Sequence, residues 1–260
     1  MARVLGKPGR YVENESVHKS QQFVLYCLIV ACVCAVIVGF SLARMFNAIR
    51  VPFWFSIPFS LLTLGVIIFC YRMLDKTTDA LERERIHFRQ GAVGEALVGY
   101  ILEGLPDDFV VLNDLKTEFG NIDHCVVGPT GVFCIDTKNW RGVVEVDGKG
   151  GLLLNGKSTT KDDVGRLVST CAETKKKIKT LCGHEPFIRA VLVFTSAHVE
   201  AKFGSIKYAD CVRDERLHDY ITDSRGNARL SKGQIDSISR AFEMLAGMDK
   251  GFEPSRAAKA

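Results

Sequence analysis

The chain has 260 residues, 47% of them hydrophobic and 25% charged, which is ordinary for globular protein and enough for one or two domains. The net charge of +4 offers no uniformly basic nucleic-acid-binding face. Nine cysteines without CxxC spacing and six histidines without an HExxH pair argue against structural zinc and for reduced, packing thiols.

These averages hide a segregation. No residue is charged between Gln22 and Arg44, nor between Arg50 and Arg72. Each interval supplies the roughly 20 apolar residues that cross a bilayer core, so residues 22–72 are expected to form a hairpin of two transmembrane helices. A cleaved signal peptide is the alternative for the first interval, but its apolar run exceeds an h-region of roughly 7–15 residues. A hairpin buried in a soluble core fits less well, because both intervals are apolar around their whole circumference. Arg3, Lys7, Arg10 and Lys19 precede the first interval and Arg72, Lys76, Arg83 and Arg85 follow the second. The expected orientation has both the basic N-terminus, residues 1–21, and the C-terminal domain in the cytoplasm.

A polar stretch over residues 73–90 is expected to form a helical stalk. Beyond it, Gly91 to Leu105 reads as a helix, Phe109 to Lys116 as a strand, and Asn121 to Val127 with Val132 to Lys138 as a strand pair. Val143 to Leu154 reads as a glycine-broken hairpin, Lys161 to Leu181 as a second helix, Arg189 to Thr195 as a buried strand and Ser231 to Leu245 as an amphipathic helix. The expected fold is α/β, a mixed central sheet flanked by helices over residues 91–225, with a C-terminal helix and disordered tail over 226–260. From Arg85 to Arg229 there are 20 Lys plus Arg and 20 Asp plus Glu. Within this neutral domain the run Lys175, Lys176, Lys177 and Lys179 either contacts phosphates, with Lys175, Lys176 and Lys179 the substrate-binding candidates, or is a solvated helix face.

The chemistry gathers around one turn. Gly128-Pro129-Thr130-Gly131 is good turn sequence between two β-rich runs. A hairpin closed there pairs Val127 with Val132 and Cys125 with Cys134, and brings Asp123 opposite Asp136. Alternation then sets Asp123, Asp136 and Lys138 on one face. Opposed carboxylates repel, and a divalent metal, Mg2+ or Mn2+, answers that repulsion with hard oxygen ligands. An ordinary Asp136–Lys138 salt bridge is the simpler alternative. Within Gly91–Leu102 every position but Glu95 is apolar or glycine; Glu95 is either a buried carboxylate needing a partner or an exposed one favoured by the helix dipole.

Gly91-Ala-Val-Gly-Glu95, Leu105-Pro-Asp-Asp-Phe-Val-Val-Leu-Asn-Asp114, Asn121-Ile-Asp-His124 and Ile135-Asp-Thr-Lys-Asn-Trp140 together resemble the nuclease-related domain (NERD) family, itself similar to the PD-(D/E)xK, restriction-endonuclease-like nucleases and Holliday-junction resolvases. The resemblance implies that Glu95, Asp123 and Asp136 are acidic metal-site residues, that Lys138 is the motif lysine, and that the Thr137 carbonyl is a further ligand. Trp140 and Gly142 match the segment leaving that strand. Two positions depart: Asp136 stands where Glu is commoner, and Asp162-Asp-Val-Gly-Arg166 stands where a glutamine is frequent. The expected function is a metal-dependent nuclease at the cytosolic face of a lipid bilayer, acting on nucleic acid, DNA ahead of RNA. A catalytically inactive module for nucleic-acid binding or membrane scaffolding is the alternative.

Overall fold

The computed structural model describes residues 1–6, 8, 90–118, 120–147, 150–201, 209–223 and 229–247, and between residues 21 and 72 it describes 21, 24–25, 27–39, 42, 61, 65, 68–69 and 72. The chain divides into two compact units, Met1–Tyr11 with Gln90–Ala260, and Val12–Arg89.

In the second unit, residues 27–39 are helical, with Leu28, Ile29, Val33 and Val36 exposed. No helix among the described residues is long and apolar enough to cross a membrane. The expected transmembrane hairpin is therefore not found. Much of its first span, nearly all of its second, the stalk over 73–89 and the tail over 250–260 lie outside the described residues.

The first unit is built on a six-stranded sheet in the order β1-β2-β3-β4-β8-β10. These strands are β1 (Arg3–Leu5), β2 (Val110–Thr117), β3 (Gly120–Gly128), β4 (Gly131–Lys138), β8 (Ile188–Phe194) and β10 (Ala209–Arg213). A smaller sheet joins β5 (Gly142–Val146), β6 (Leu152–Leu154), β7 (Lys157–Ser158) and β9 (Ala197–Val199). The strands β2, β3 and β4 form an antiparallel meander, while β1 joins β2, β8 joins β4 and β10 joins β8 in parallel. The helices are α1 (residues 90–103), α2 (Asp163–Cys182), α3 (Asp214–Thr222) and α4 (Lys232–Gly247).

Two apolar clusters enclose the large sheet. One packs α1 and α3 through Val98, Leu102, Leu217 and Ile221 against Val111, Val126, Phe133 and Ile135. The other packs α2 and α4 through Leu167, Ile178, Ile238 and Phe242 against Leu112, Cys125, Cys134 and Leu192. Strand residues enter the two clusters alternately, as a sheet covered on both faces requires. The result is the expected α/β fold with a mixed central sheet. The eight described cysteines are free, four of them buried, in keeping with packing thiols.

Charge alone set the N-terminal segment apart, yet Met1–Tyr11 belongs to this unit. Arg3 pairs in register with Val110, its N–H donates to the Phe109 carbonyl at 3.1 Å, and its guanidinium meets Glu243 at 2.9 Å. Three residues are too few to show strand periodicity, and their partner lies more than 100 residues away, so sequence pattern carried no sign of β1.

Candidate active site

The Gly128–Gly131 turn closes the β3–β4 hairpin in the expected register: Val127 pairs with Val132, Cys125 with Cys134, and the ladder ends at His124 with Ile135. One step further, Asp123 takes over with its side chain, its Oδ2 accepting the Thr137 N–H at 2.7 Å. A carboxylate thus replaces a backbone acceptor where the ladder stops.

The neighbouring strand breaks at the same level. Asn113 pairs with His124 and Leu115 with Ile122, so Asp114 and Asp123 stand opposite each other between two regular pairs. Asp114 has φ 54, left-handed for a residue with a side chain. Leu112 and Leu115, three apart, enter the same apolar cluster, as do Ile122 and Cys125. Regular alternation forbids that spacing, so one residue on each strand is turned out of phase. The outcome is a row of aspartates, Asp114, Asp123 and Asp136, on three adjacent strands.

Helix α1 brings Glu95 to this row through glycine and asparagine. Asn139, next to Lys138, donates from Nδ2 to the Gln90 carbonyl at 2.7 Å, while its Oδ1 accepts from Thr195 at 3.1 Å and Ser196 at 2.5 Å. A Cβ at Gly94 would lie 3.2 Å from both Asn139 Cβ and Thr195 Oγ1, so the absent side chain lets α1 approach closely. Burial, then the charges of Asp114 and Asp136, push the Glu95 carboxyl up to about 7 against the opposing pull of Lys138. Burial, then Asp136 and Glu95, raise Asp123 well above the usual carboxylate range, although the Thr137 amide and Lys138 oppose the shift.

Lys138 supplies the balancing charge. Its Nζ stands 2.7 Å from Asp136 Oδ2 and 3.1 Å from Asp163 Oδ1, so Asp136 and Lys138 share the face that packs on α2. Burial opposes the ammonium, but Asp136 and Asp163 outweigh it and hold its pKa above the ordinary lysine value. Arg166 Nη2 adds contacts of 3.3 Å to Asp163 and 3.7 Å to Asp136. The simpler salt-bridge expectation is therefore realised for Asp136 and Lys138, inside a larger network.

Two candidates for binding or proton transfer sit elsewhere. Lys175 and Lys179 pair with Glu185, Lys176 with Glu173 and Lys177 with Glu118, all beyond the midpoint of α2. His124, fully buried, shares a 2.8 Å bond from Nδ1 to Asn113 Oδ1, and burial lowers its pKa to about 3, so it stays neutral.

The resemblance implies a divalent metal. Among the described residues no three His, Cys, Asp or Glu side chains are grouped to hold an ion together. Mg2+, however, typically takes one or two carboxylates and keeps water in its other positions. Asp123 and Asp136 on adjoining strands, both hard oxygen donors, fit that requirement. Asp114, Asp163 and Arg166 were missed as site residues: the φ of Asp114 and the contacts of α2 arise only from tertiary packing.

Residues 90–195 match the family described as Nuclease-related domain (NERD), an interval that contains Glu95, Asp114, Asp123, Asp136, Lys138, Asp163 and Arg166. Comparison with curated proteins and with solved structures gives no match.

The raised Glu95 pKa has a measurable consequence. Because the folded chain binds this proton more tightly than the unfolded chain, the contribution is complete below pH 4.5 and is lost as pH rises toward 7. Glu95→Gln should remove that loss and leave the variant more stable than the parent above pH 7, by on the order of 2 kcal/mol. Thermal melts of both proteins from pH 5 to 8 measure the difference; parallel curves would show that Glu95 is not held in this charge cluster.

Proposed function

We propose that this chain is a membrane-anchored, divalent-cation-dependent nuclease that hydrolyses nucleic-acid phosphodiester bonds on the cytosolic side. The carrying observation is the Asp123–Thr137 contact beside the Asp136–Lys138 pair, in a segment matched as nuclease-related. DNA is put ahead of RNA as substrate because restriction endonucleases and junction resolvases, which the motifs resemble, act on DNA.

Asp123 and Asp136 are the residues to hold Mg2+ or Mn2+, with the Thr137 carbonyl and Glu95 beside them. Such an ion, when bound, polarises a phosphoryl oxygen and lowers the pKa of a water. Lys138, kept charged by two carboxylates, contributes a fixed ammonium to stabilise negative charge developing on the phosphate. Glu95, titrating about neutral pH, provides a group that exchanges a proton under working conditions. Lys175, Lys176 and Lys179 remain accessory contacts for a longer strand.

The membrane reading is supported by the two charge-free intervals and by the exposed apolar side chains of residues 27–39. Residues 1–11 and 90–260 form one unit, so the intervening segment leaves and rejoins the same body, as a hairpin of two spans must. The basic flanks favour the cytoplasm for that body. A non-catalytic module is the second reading, favoured by the full engagement of Asp136 with Lys138 and by the lack of a three-donor group among the described residues.

The full chain, incubated with single- and double-stranded DNA and RNA and Mg2+ or Mn2+, should cleave at least one of them. Asp123→Asn, Asp136→Asn and Lys138→Met should each lower turnover by about 100-fold or more. Lys138→Met cleaving at the parent rate would reduce Lys138 to a salt-bridge partner, and a parent that cuts nothing would favour the non-catalytic module.

Topology has its own test. A reporter fused after Ala260 should register cytosolic, and one inserted between Phe46 and Val51 should register on the opposite side. Both reporters on one side would remove the membrane hairpin.

A further inference from the structure

The buried lysine of the site is already committed. Lys138, 14% exposed, is buried and shared between Asp136 and Asp163. Arg166 approaches the same two carboxylates but is 59% exposed. Both of its contacts run through one nitrogen, Nη2, whereas a guanidinium carries five N–H donors in a planar fork suited to phosphate. Lys175, the nearest of the lysine run, lies about 14 Å further along the helix and is held by Glu185.

The turn that carries Arg166 is fixed in place. Asp162 caps α2, its Oδ1 accepting the Gly165 N–H at 2.9 Å, and the Arg166 N–H bonds to the Asp162 carbonyl at 3.0 Å. A Cβ at Gly165 would sit 2.2 Å from Asp162 Oδ2, so the capping carboxylate lies directly over this glycine. Asp163, 6% exposed, then holds both Lys138 and Arg166. The Asp-Asp-Val-Gly-Arg stretch of residues 162–166, read from sequence only as a departure from a common pattern, is thus a structured rim to the site.

We propose that Arg166 is a substrate-binding residue of this site, taking a backbone phosphate oxygen of a nucleic-acid strand with the guanidinium donors its carboxylate contacts leave unused, and that Asp163 positions it. The inference rests on the nuclease reading for the class of ligand. It adds a residue that neither the metal-site motif nor the lysine run supplies.

Binding without cleavage tests it. The full chain is titrated onto fluorescein-labelled single- and double-stranded oligonucleotides in EDTA, and anisotropy is followed from 50 to 300 mM KCl. Arg166→Gln should weaken binding about tenfold and flatten the log–log salt dependence by about one ion. Arg166→Lys should keep the salt slope, since the charge remains, yet bind less tightly than the parent, since the fork is lost. An Arg166→Gln slope equal to the parent's would overturn the inference while leaving the nuclease reading intact. Should Arg166→Gln fail to fold, judged by its thermal melt, Arg166→Lys decides, and parental affinity in that variant overturns the inference. A parent that binds no oligonucleotide overturns both.

Discussion

A carboxylate taken out of water must be protonated, paired with a cation or bound to one, and this sheet gathers several such groups at one level. Asp114, Asp123 and Asp136 stand on three adjacent strands, Glu95 arrives from α1, and Asp163 from α2. Against them stand one buried lysine and one exposed arginine. Lys138 and Arg166 pair directly with Asp136 and Asp163, while at Glu95 and Asp123 burial and the neighbouring carboxylates outweigh the pull of Lys138, and both retain protons to higher pH. The local architecture also departs from regularity at this level. The side chain of Asp123 ends the β3–β4 ladder, Asp114 adopts a left-handed conformation, and the bare backbone of Gly94 lets α1 approach the row.

The same imbalance separates structure from chemistry. A pair such as Asp136 and Lys138 alone satisfies itself and has no call for a ligand. Adding Asp123 and Glu95 creates an excess of carboxylates whose burial and mutual repulsion raise the pKa of both. The interval matched as nuclease-related, residues 90–195, contains this cluster.

Much of this was legible in the order of residues. The Gly128–Gly131 turn fixed the pairing from Gly128 back to His124, although the ladder stops before the expected Asp123–Asp136 pair and Asp123 bonds the Thr137 N–H instead, and the long helices and the strand Ile188–Phe194 carried clear periodic or apolar patterns. What escaped was short or non-local. The strand Arg3–Leu5 has no periodicity of its own and depends on a partner distant in sequence. The small strands β7, β9 and β10 are two to five residues long. Asp114 sat within a quoted motif without a role, because nothing in its neighbours announces a positive φ. Asp163 and Arg166 looked like ordinary residues of a helix start until α2 packed beside β4. The expected membrane spans concern residues mostly outside the described part of the chain, and among the described residues no helix is long and apolar enough to cross a bilayer.

The central claim is that these carboxylates form a divalent-cation site, and calorimetric titration of the full chain with Mn2+ addresses it most directly. A site built on Asp123 and Asp136 gives one saturable binding event for the parent, which is lost or greatly weakened in Asp123→Asn. No saturable heat in the parent, or an event that survives Asp123→Asn unchanged, would contradict it.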